Sequence, residues 1–228
     1  MKPTSLILAL LPALAVAPAR AATFVVSKTA DTLDGACDAD CSLREAVVAA
    51  NAAPGADVIE IPAGVYVLSR PGAKEQLSRT GDLDIWDPVT LLGAGRTATI
   101  LDGGEIDRVL HVLEPPAPAQ AGYRVEVRDL TIRKGKTDEA GGGALNASRG
   151  VLAFTRATIT NNLAAVGGGA ATPQGVLELR DVRVLSNIGV LGAAAAWLVD
   201  RLAPRTNGAT GRPHAETRAS SACTTAPS

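Results

Sequence analysis

The chain has 228 residues with 22 basic and 23 acidic side chains, and only six aromatic rings, two each of Trp, Tyr and Phe. A charge balance near zero with no basic stripe argues against nucleic acid or anionic lipid as a partner. So few rings exclude a sugar-stacking platform of several aromatics and leave the core to aliphatic side chains, in a single elongated domain or a small bipartite fold.

Lys2, an apolar run from Leu6 to Ala17, and Ala19-Arg20-Ala21 read together as a secretory signal over residues 1–21 with an A-x-A cleavage site. Its apolar core is too short to span a bilayer. Cleavage after Ala21 would make Ala22 the first residue. The longest later apolar run, residues 190–199, is about half the length a span requires, so no membrane span is expected once the signal is removed. The leader holds Lys2 and Arg20 and the tail from Asp200 holds four arginines and two acids, so of the 22 basic and 23 acidic residues the body keeps 16 and 21. Of the three cysteines, Cys37 and Cys41 enclose Asp38-Ala39-Asp40 and read as a structural disulfide. Closing so tight a loop adds about 2 kcal/mol by loop entropy. The redox spacing C-x-x-C is not met, and Cys223 stands alone in the tail.

In chain order, Thr23 to Ser27 reads as a first strand. Asp31 to Cys41 is an acid-rich loop whose Asp31, Asp34, Asp38 and Asp40 are the right donors for calcium. Their spacing matches no EF-hand, and the loop is read as solvated with turn-forming aspartates. Ser42 followed by Glu45 is a capping box that starts a helix, with Leu43, Ala46, Val47 and Ala50 as its apolar stripe and Pro54-Gly55 as its end. A helix this short needs an apolar surface beneath it, and the open end of a stacked sheet supplies one.

Short strands separated by glycine turns are then expected over Asp57–Pro62, Val65–Leu68, Val89–Leu92, Thr99–Asp102 and Arg108–Leu113. Pro115-Pro116-Ala117-Pro118 interrupts them with a stiff excursion. From Val125 the period is measurable. Val125, Val127, Leu130 and Ile132 return as Leu152, Phe154, Ala157 and Ile159 after 27 residues, and as Leu177, Leu179, Val182 and Val184 after 25 more. The residue skipped in each unit, Asp129, Arg156 or Asp181, reads as a corner between two strands, since an extra residue would otherwise send later side chains to the wrong face. Gly141-Gly142-Gly143 recurs as Gly167-Gly168-Gly169, and Asn162 recurs as Asn187, the spacing of a side-chain ladder. Repeats of this length with short strands predict an all-β fold, a right-handed parallel β-helix solenoid with a short N-terminal capping α-helix. The expected divisions are a signal over 1–21, the cap over 22–62, parallel β-helix coils over 63–192, and an irregular tail over 193–228, with five or six coils in all between Asp57 and Gly192. That tail reads as a native end, as a helical C-cap over Ala193–Leu202 with a disordered extension, or as the product of a reading-frame change.

The block Asp31–Pro62, with Cys37, Cys41-Ser42-Leu43-Arg44-Glu45-Ala46, Ala50-Asn51-Ala52 and Ile59–Gly64, resembles the N-terminal domain named for its CSLREA motif. That family is found on exported bacterial proteins ahead of β-helix repeats of pectate-lyase-like character. The resemblance implies export, with the chain secreted or at the cell surface, and carries no assigned chemistry. Gly142-Gly143-Ala144-Leu145 and Gly168-Gly169-Ala170-Ala171 also resemble the repeats of polymorphic outer-membrane adhesins, whose Phe-x-x-Asn companion is not met at Phe154, where Ala157 stands in the Asn place.

Two classes of function follow. One is a non-catalytic scaffold or adhesin, with a surface polysaccharide or another envelope protein as partner. The other is a polysaccharide lyase or glycoside hydrolase, or a fragment of one, acting on acidic polysaccharide. For the enzyme, Glu126 and Glu178 occupy equivalent outward positions two coils apart, about 9 to 10 Å, near the upper limit for an inverting pair. Arg128 and Arg180 stand beside them as a lyase base or clamp, or simply as solvated partners. Asp82, Asp84 and Asp87 around Trp86 read as an acidic loop able to meet a cation or sugar. His111 and His214 lack a second ligand at metal spacing, so no zinc site, cofactor or catalytic residue is assigned. Asn146-Ala147-Ser148 is a sequon by pattern alone.

Overall fold

The computed structural model describes residues 20–116 and 122–190. Most of the expected leader, the Ala117-Pro118 end of the proline stretch, and everything from 191 on, with the expected tail, His214 and Cys223, lie outside the described residues.

The chain opens with β1 (Thr23–Val25) and α1 (Leu43–Ala52), followed by β2 (Asp57–Ile61), β3 (Gly64–Val67) and β4 (Leu83–Ile85). The next turns supply β5 (Val89–Gly93), β6 (Thr99–Asp102), β7 (Leu110–Val112), β8 (Arg124–Arg128), β9 (Thr131–Arg133) and β10 (Ala144–Asn146). β11 (Val151–Thr155), β12 (Thr158–Thr160), β13 (Leu163–Ala164), β14 (Ala170–Ala171), β15 (Val176–Arg180), β16 (Arg183–Leu185) and β17 (Ile188–Gly189) complete the described elements. The fold is therefore mostly β, with one short helix. Three sheets run in the orders β1-β2-β5-β8-β11-β15, β16-β12-β9-β6-β3 and β14-β10-β7-β4, with a small fourth pairing of β13 and β17. Each strand pairing is parallel.

The register reproduces the sequence offsets. Val125 lies opposite Leu152, which lies opposite Leu177, and Ile132, Ile159 and Val184 form a second row. Alternate residues along each strand point to one side, so these rows stack into an aliphatic column. Ile59, Leu91, Val127 and Phe154 form one such row, fully buried. The corners fall where the repeat skips a residue: Asp129, Arg156 and Asp181 have φ of 55°, 49° and 52°. Their left-handed backbone absorbs the extra residue and lets the in–out alternation resume in phase. Gly142 and Gly168 serve close approach instead, since a Cβ on Gly142 would lie 2.5 Å from the Leu163 carbonyl oxygen. The asparagine ladder forms as spaced: Asn162 donates from Nδ2 to Asn187 Oδ1 at 2.9 Å, and Asn187 donates to the Ile159 carbonyl at 2.9 Å.

α1 begins at the expected cap. The Glu45 amide donates to Ser42 Oγ at 3.1 Å and the Ser42 amide donates to Glu45 Oε2 at 2.6 Å. Leu43, Ala46, Val47 and Ala50 are buried against β1, β2 and β4, so the helix covers the first end of the stack. At the other described end the matching rows are less covered, and Val184 is 39% exposed where Ile159 is 1% exposed. One element differs from expectation. Residues 83–85 of the expected acidic loop are strand β4, with Leu83 and Ile85 in the core. The aspartates on either side of Leu83 hide its strand period, because the opposite face of β4 is also buried.

Candidate functional site

The helix that opens at Ser42 also positions the polar groups beneath it. Arg44 is fully buried, which a guanidinium tolerates only with every donor engaged. It meets Asp31 through Nε at 2.6 Å and Nη2 at 3.0 Å. It also donates to the carbonyls of Ser78, Asp82 and Gly81 at 3.1, 3.1 and 2.9 Å. Asp31 Oδ2 in turn accepts from the Ser69 and Arg70 amides at 2.8 and 3.2 Å. One arginine thus clamps the loop 69–82 against the helix. Asp31 is spent in this clamp; Asp34 and Asp38 close local turns onto the Ala36 and Asp40 amides, and Asp40 pairs with Lys28 at 2.8 Å. The four aspartates of the acid-rich loop therefore do not converge on a calcium site. Cys37 and Cys41 form the expected disulfide.

The clamped loop covers the outer face of β4, and there the structure assembles a cluster that sequence spacing did not reveal. β4 and β7 pair with Asp84 opposite His111, 27 residues apart in sequence, so His111 does have carboxylate neighbours. Ser78 fixes Asp84: its amide donates to Oδ2 at 2.9 Å, and its hydroxyl exchanges hydrogen bonds with the Asp84 backbone. Asn51 of α1 holds the same strand through the Asp84 carbonyl and the Trp86 amide. Asp84 Oδ1 has no hydrogen-bond partner and lies 3.3 Å from His111 Nδ1; Asp82 Oδ2 lies 3.8 Å from the same nitrogen. A tetrahedral zinc with ligands near 2.1 Å separates its donors by about 3.4 Å, so the three side chains have the spacing to hold one.

Arg108 stands in the same space. Its Nη1 is 3.3 Å from His111 Nδ1, its Nε is 3.7 Å from Asp82 Oδ2, and its Nη2 donates to Glu139 at 2.5 Å. In this arrangement the buried carboxylates take their positive charge from arginine. That charge is shared with Glu139, and the compensation is incomplete: burial first, then Asp84 and Asp107, push Asp82 up to about 8 against the pull of Arg108.

Asp87, expected beside Asp82 and Asp84, belongs to a different pair. It lies by Asp57, whose place in the aliphatic row is taken on later turns by Val89, Val125, Leu152 and Leu177. Asp57 is 1% exposed; its Oδ1 accepts from the Ala22 amide at 2.7 Å, and its Oδ2 and Asp87 Oδ2 are both buried without a partner. Burial, and then the charge of Asp57, push Asp87 up to about 6.

On the outer face, the register puts Glu126 and Glu178 in one row with Ala153 between them. Arg124 closes that row on itself. Its Nε reaches Glu126 at 2.6 Å and its Nη2 reaches Glu178 at 2.9 Å. Arg128 adds a second contact to Glu126, and Arg180 stands 3.5 Å from Glu178. Burial pushes Glu126 upward, but Arg124 and Arg128 outweigh it and hold the carboxyl below its ordinary range; Arg124 above all does the same for Glu178. Neither carboxyl is a proton donor at neutral pH. Asn146 of the sequon is buried with its Nδ2 on the Gly150 carbonyl, which leaves it no room as a glycan acceptor.

Comparison with known proteins adds no relative. No family model matches the chain, and neither a curated protein nor a solved structure matches it. Sequence reasoning passed over Asp57, Arg108 and Arg124. Asp57 was detectable as a charged residue standing in an aliphatic row; Arg108 and Arg124 gained their meaning only from partners one or two turns away.

Proposed function

We propose that the chain is an exported, non-catalytic scaffold or adhesin-like surface protein, built as a right-handed parallel β-helix behind a CSLREA-type N-terminal cap. The closed row Glu126–Arg124–Glu178 carries this reading. A glycoside hydrolase needs one carboxylic acid kept protonated and one carboxylate free, and a lyase needs a base released from its counter-ion. Here every outward carboxylate of the row is ionised and tied to arginine. The chain visits its three sheets in fixed rotation, which supports the solenoid, and the leader with the Cys37–Cys41 bridge supports an oxidising destination outside the cytosol. Its long charged faces then serve contact, with a surface polysaccharide or another envelope protein as partner.

The test is direct. The oxidised chain from Ala22 is incubated with polygalacturonate, alginate and a neutral glucan, with unsaturated products followed by absorbance and new reducing ends by colorimetry. No turnover is expected, together with retention on one immobilised envelope polysaccharide or protein. Turnover that disappears in Glu126→Gln or Glu178→Gln would replace this reading with the enzymatic one.

A further inference from the structure

The first strand ends its approach to the sheet at Ala22, and the amide nitrogen of that residue is, among the described residues, the one group bonded to Asp57 Oδ1, at 2.7 Å. Around it the charge does not balance. Asp57 Oδ2 and Asp87 Oδ2 are buried with no hydrogen-bond partner, and an amide offers a single proton to two carboxylates. A buried carboxylate in that condition, with a second half-buried one beside it, asks for a cation. The sequence places a cation there by another route, because Ala19-Arg20-Ala21 marks the bond between Ala21 and Ala22 for cleavage.

We infer that removal of the leader completes this site: the new α-ammonium of Ala22 forms an ion pair with the buried Asp57, beside Asp87, and locks the first strand onto the stack. The inference rests on the reading of residues 1–21 as a cleaved signal. In the step itself a signal peptidase adds one water across the Ala21–Ala22 amide. The C–N bond breaks, Ala21 leaves as a carboxylate, and the amine takes a proton to become an ammonium with three donors where the amide had one. Its nitrogen need not move. The same atom already lies at hydrogen-bond distance from Asp57 Oδ1, and the ammonium brings two further protons to a carboxylate whose second oxygen has no partner. Export precedes folding, so the ammonium is present when the sheet closes.

Retention of Arg20 and Ala21 leaves the fold sterically possible. Both are exposed, and their backbone passes over Gly55, whose φ is +134° and on which a Cβ would lie 3.0 Å from the Ala21 nitrogen. A stability difference between the cut and uncut chains therefore reports the charge, not a clash. Asp57 binds the first strand to the second, since β1 pairs only with β2 among the described strands and the Ala22 carbonyl accepts from the Val58 amide at 2.9 Å. The ion pair thus acts at the outermost pairing of the six-stranded sheet, where fraying would begin.

The experiment uses two oxidised chains released from a removable fusion partner, one beginning at Ala22 and one at Arg20, each with and without Asp57→Asn. The chain beginning at Ala22 is expected to melt about 3–8 °C higher than the longer one. Asp57→Asn should abolish that difference, and Asp87→Asn should reduce it. Acylation of the Ala22 amine at pH 7, followed by mass spectrometry, should be at least tenfold slower than in the Asp57→Asn chain. If Asp57→Asn does not fold, Asp87→Asn and the acylation rate of the native chain relative to its urea-unfolded form carry the test. Equal melting temperatures, or an amine acylated as fast as in the unfolded chain, overturn the ion pair. Amino-terminal sequencing of the naturally exported protein tests the cleavage separately, and a different first residue overturns the maturation step while leaving the trimmed-chain result to stand.

Discussion

Replacing Arg44 by Met tests whether the CSLREA-like motif is an architectural device. The substitution keeps an apolar stem of similar length and removes five hydrogen bonds, two to Asp31 and three to the carbonyls of Ser78, Gly81 and Asp82. Asp31 has a side chain only 3% exposed, so its charge stays buried with just the Ser69 and Arg70 amides as donors. Removing one partner of a buried pair costs about 3–5 kcal/mol. The three orphaned carbonyls each add up to about 1–3 kcal/mol where water cannot reach them. The two remaining amides and local opening offset some of this, which leaves an expected loss of about 3–5 kcal/mol. Urea unfolding followed by circular dichroism measures it, and amide exchange locates it: the Gly81 amide, bonded to the Arg70 carbonyl at 2.8 Å, should lose protection while the amides of β11 keep theirs. Because the pair acts as a unit, Asp31→Asn should cost less than about 1 kcal/mol in the Arg44→Met chain and much more in the native one. A loss below about 1 kcal/mol for Arg44→Met, or unchanged exchange at Gly81, would refute the clamp.

Four further outcomes follow from the same contacts. Gly142→Ala places a Cβ 2.5 Å from the Leu163 carbonyl oxygen and 2.6 Å from that of Gly168, and should lower stability by roughly 2–3 kcal/mol in urea unfolding. Asn162→Ala strands the Gly135 amide, which donates to Asn162 Oδ1 at 2.9 Å, and should cost about 2 kcal/mol with faster exchange at that amide. Burial alone would raise Glu45, but hydrogen bonds from Ser42, Thr32 and Asp34 outweigh it and hold its carboxyl below the ordinary 4.5. A folded value below the unfolded one means that stability is present above pH 4.5 and lost as pH falls through the folded value; the gap between the urea midpoints of native and Glu45→Gln chains should narrow on acidification from about pH 7 to about pH 3. Arg108→Ala removes the guanidinium facing His111 and leaves Asp82 and Asp84 uncompensated, so this variant should be destabilised and should regain melting temperature on adding zinc, a rescue that is lost when His111→Gln is added.

The repeat was legible because it is arithmetic. Offsets of 27 and 25 residues became strand register, and the skipped residues Asp129, Arg156 and Asp181 became left-handed corners, since one extra residue can be absorbed in few other ways. The capping box was legible because its partners are three residues apart. β4 was not, because the pattern that marks a half-buried strand assumes one wet face, and Asp84 faces a buried surface made by a loop that Arg44 folds over it. His111 reads as partnerless in the sequence for a related reason: its neighbours Asp84 and Leu145 come from the preceding and following turns, at sequence distances that no local motif encodes.

Burial of a polar side chain does not by itself separate architecture from function, and this chain offers both cases side by side. Ser42, Arg44 and Glu45 are almost inaccessible, yet every donor and acceptor they carry is met within the cap and the loop 69–82 it holds, so nothing remains for a ligand to satisfy. The Glu126–Arg124–Glu178 row is half-buried, and its carboxylates are held by arginine. Asp57 and Asp87 differ in kind, for they keep buried oxygens with no partner at the point where processing would create a positive charge. On the inference drawn above, the deficit at Asp57 is met when the leader is cut and the nitrogen of Ala22, 2.7 Å from Asp57 Oδ1, gains its charge.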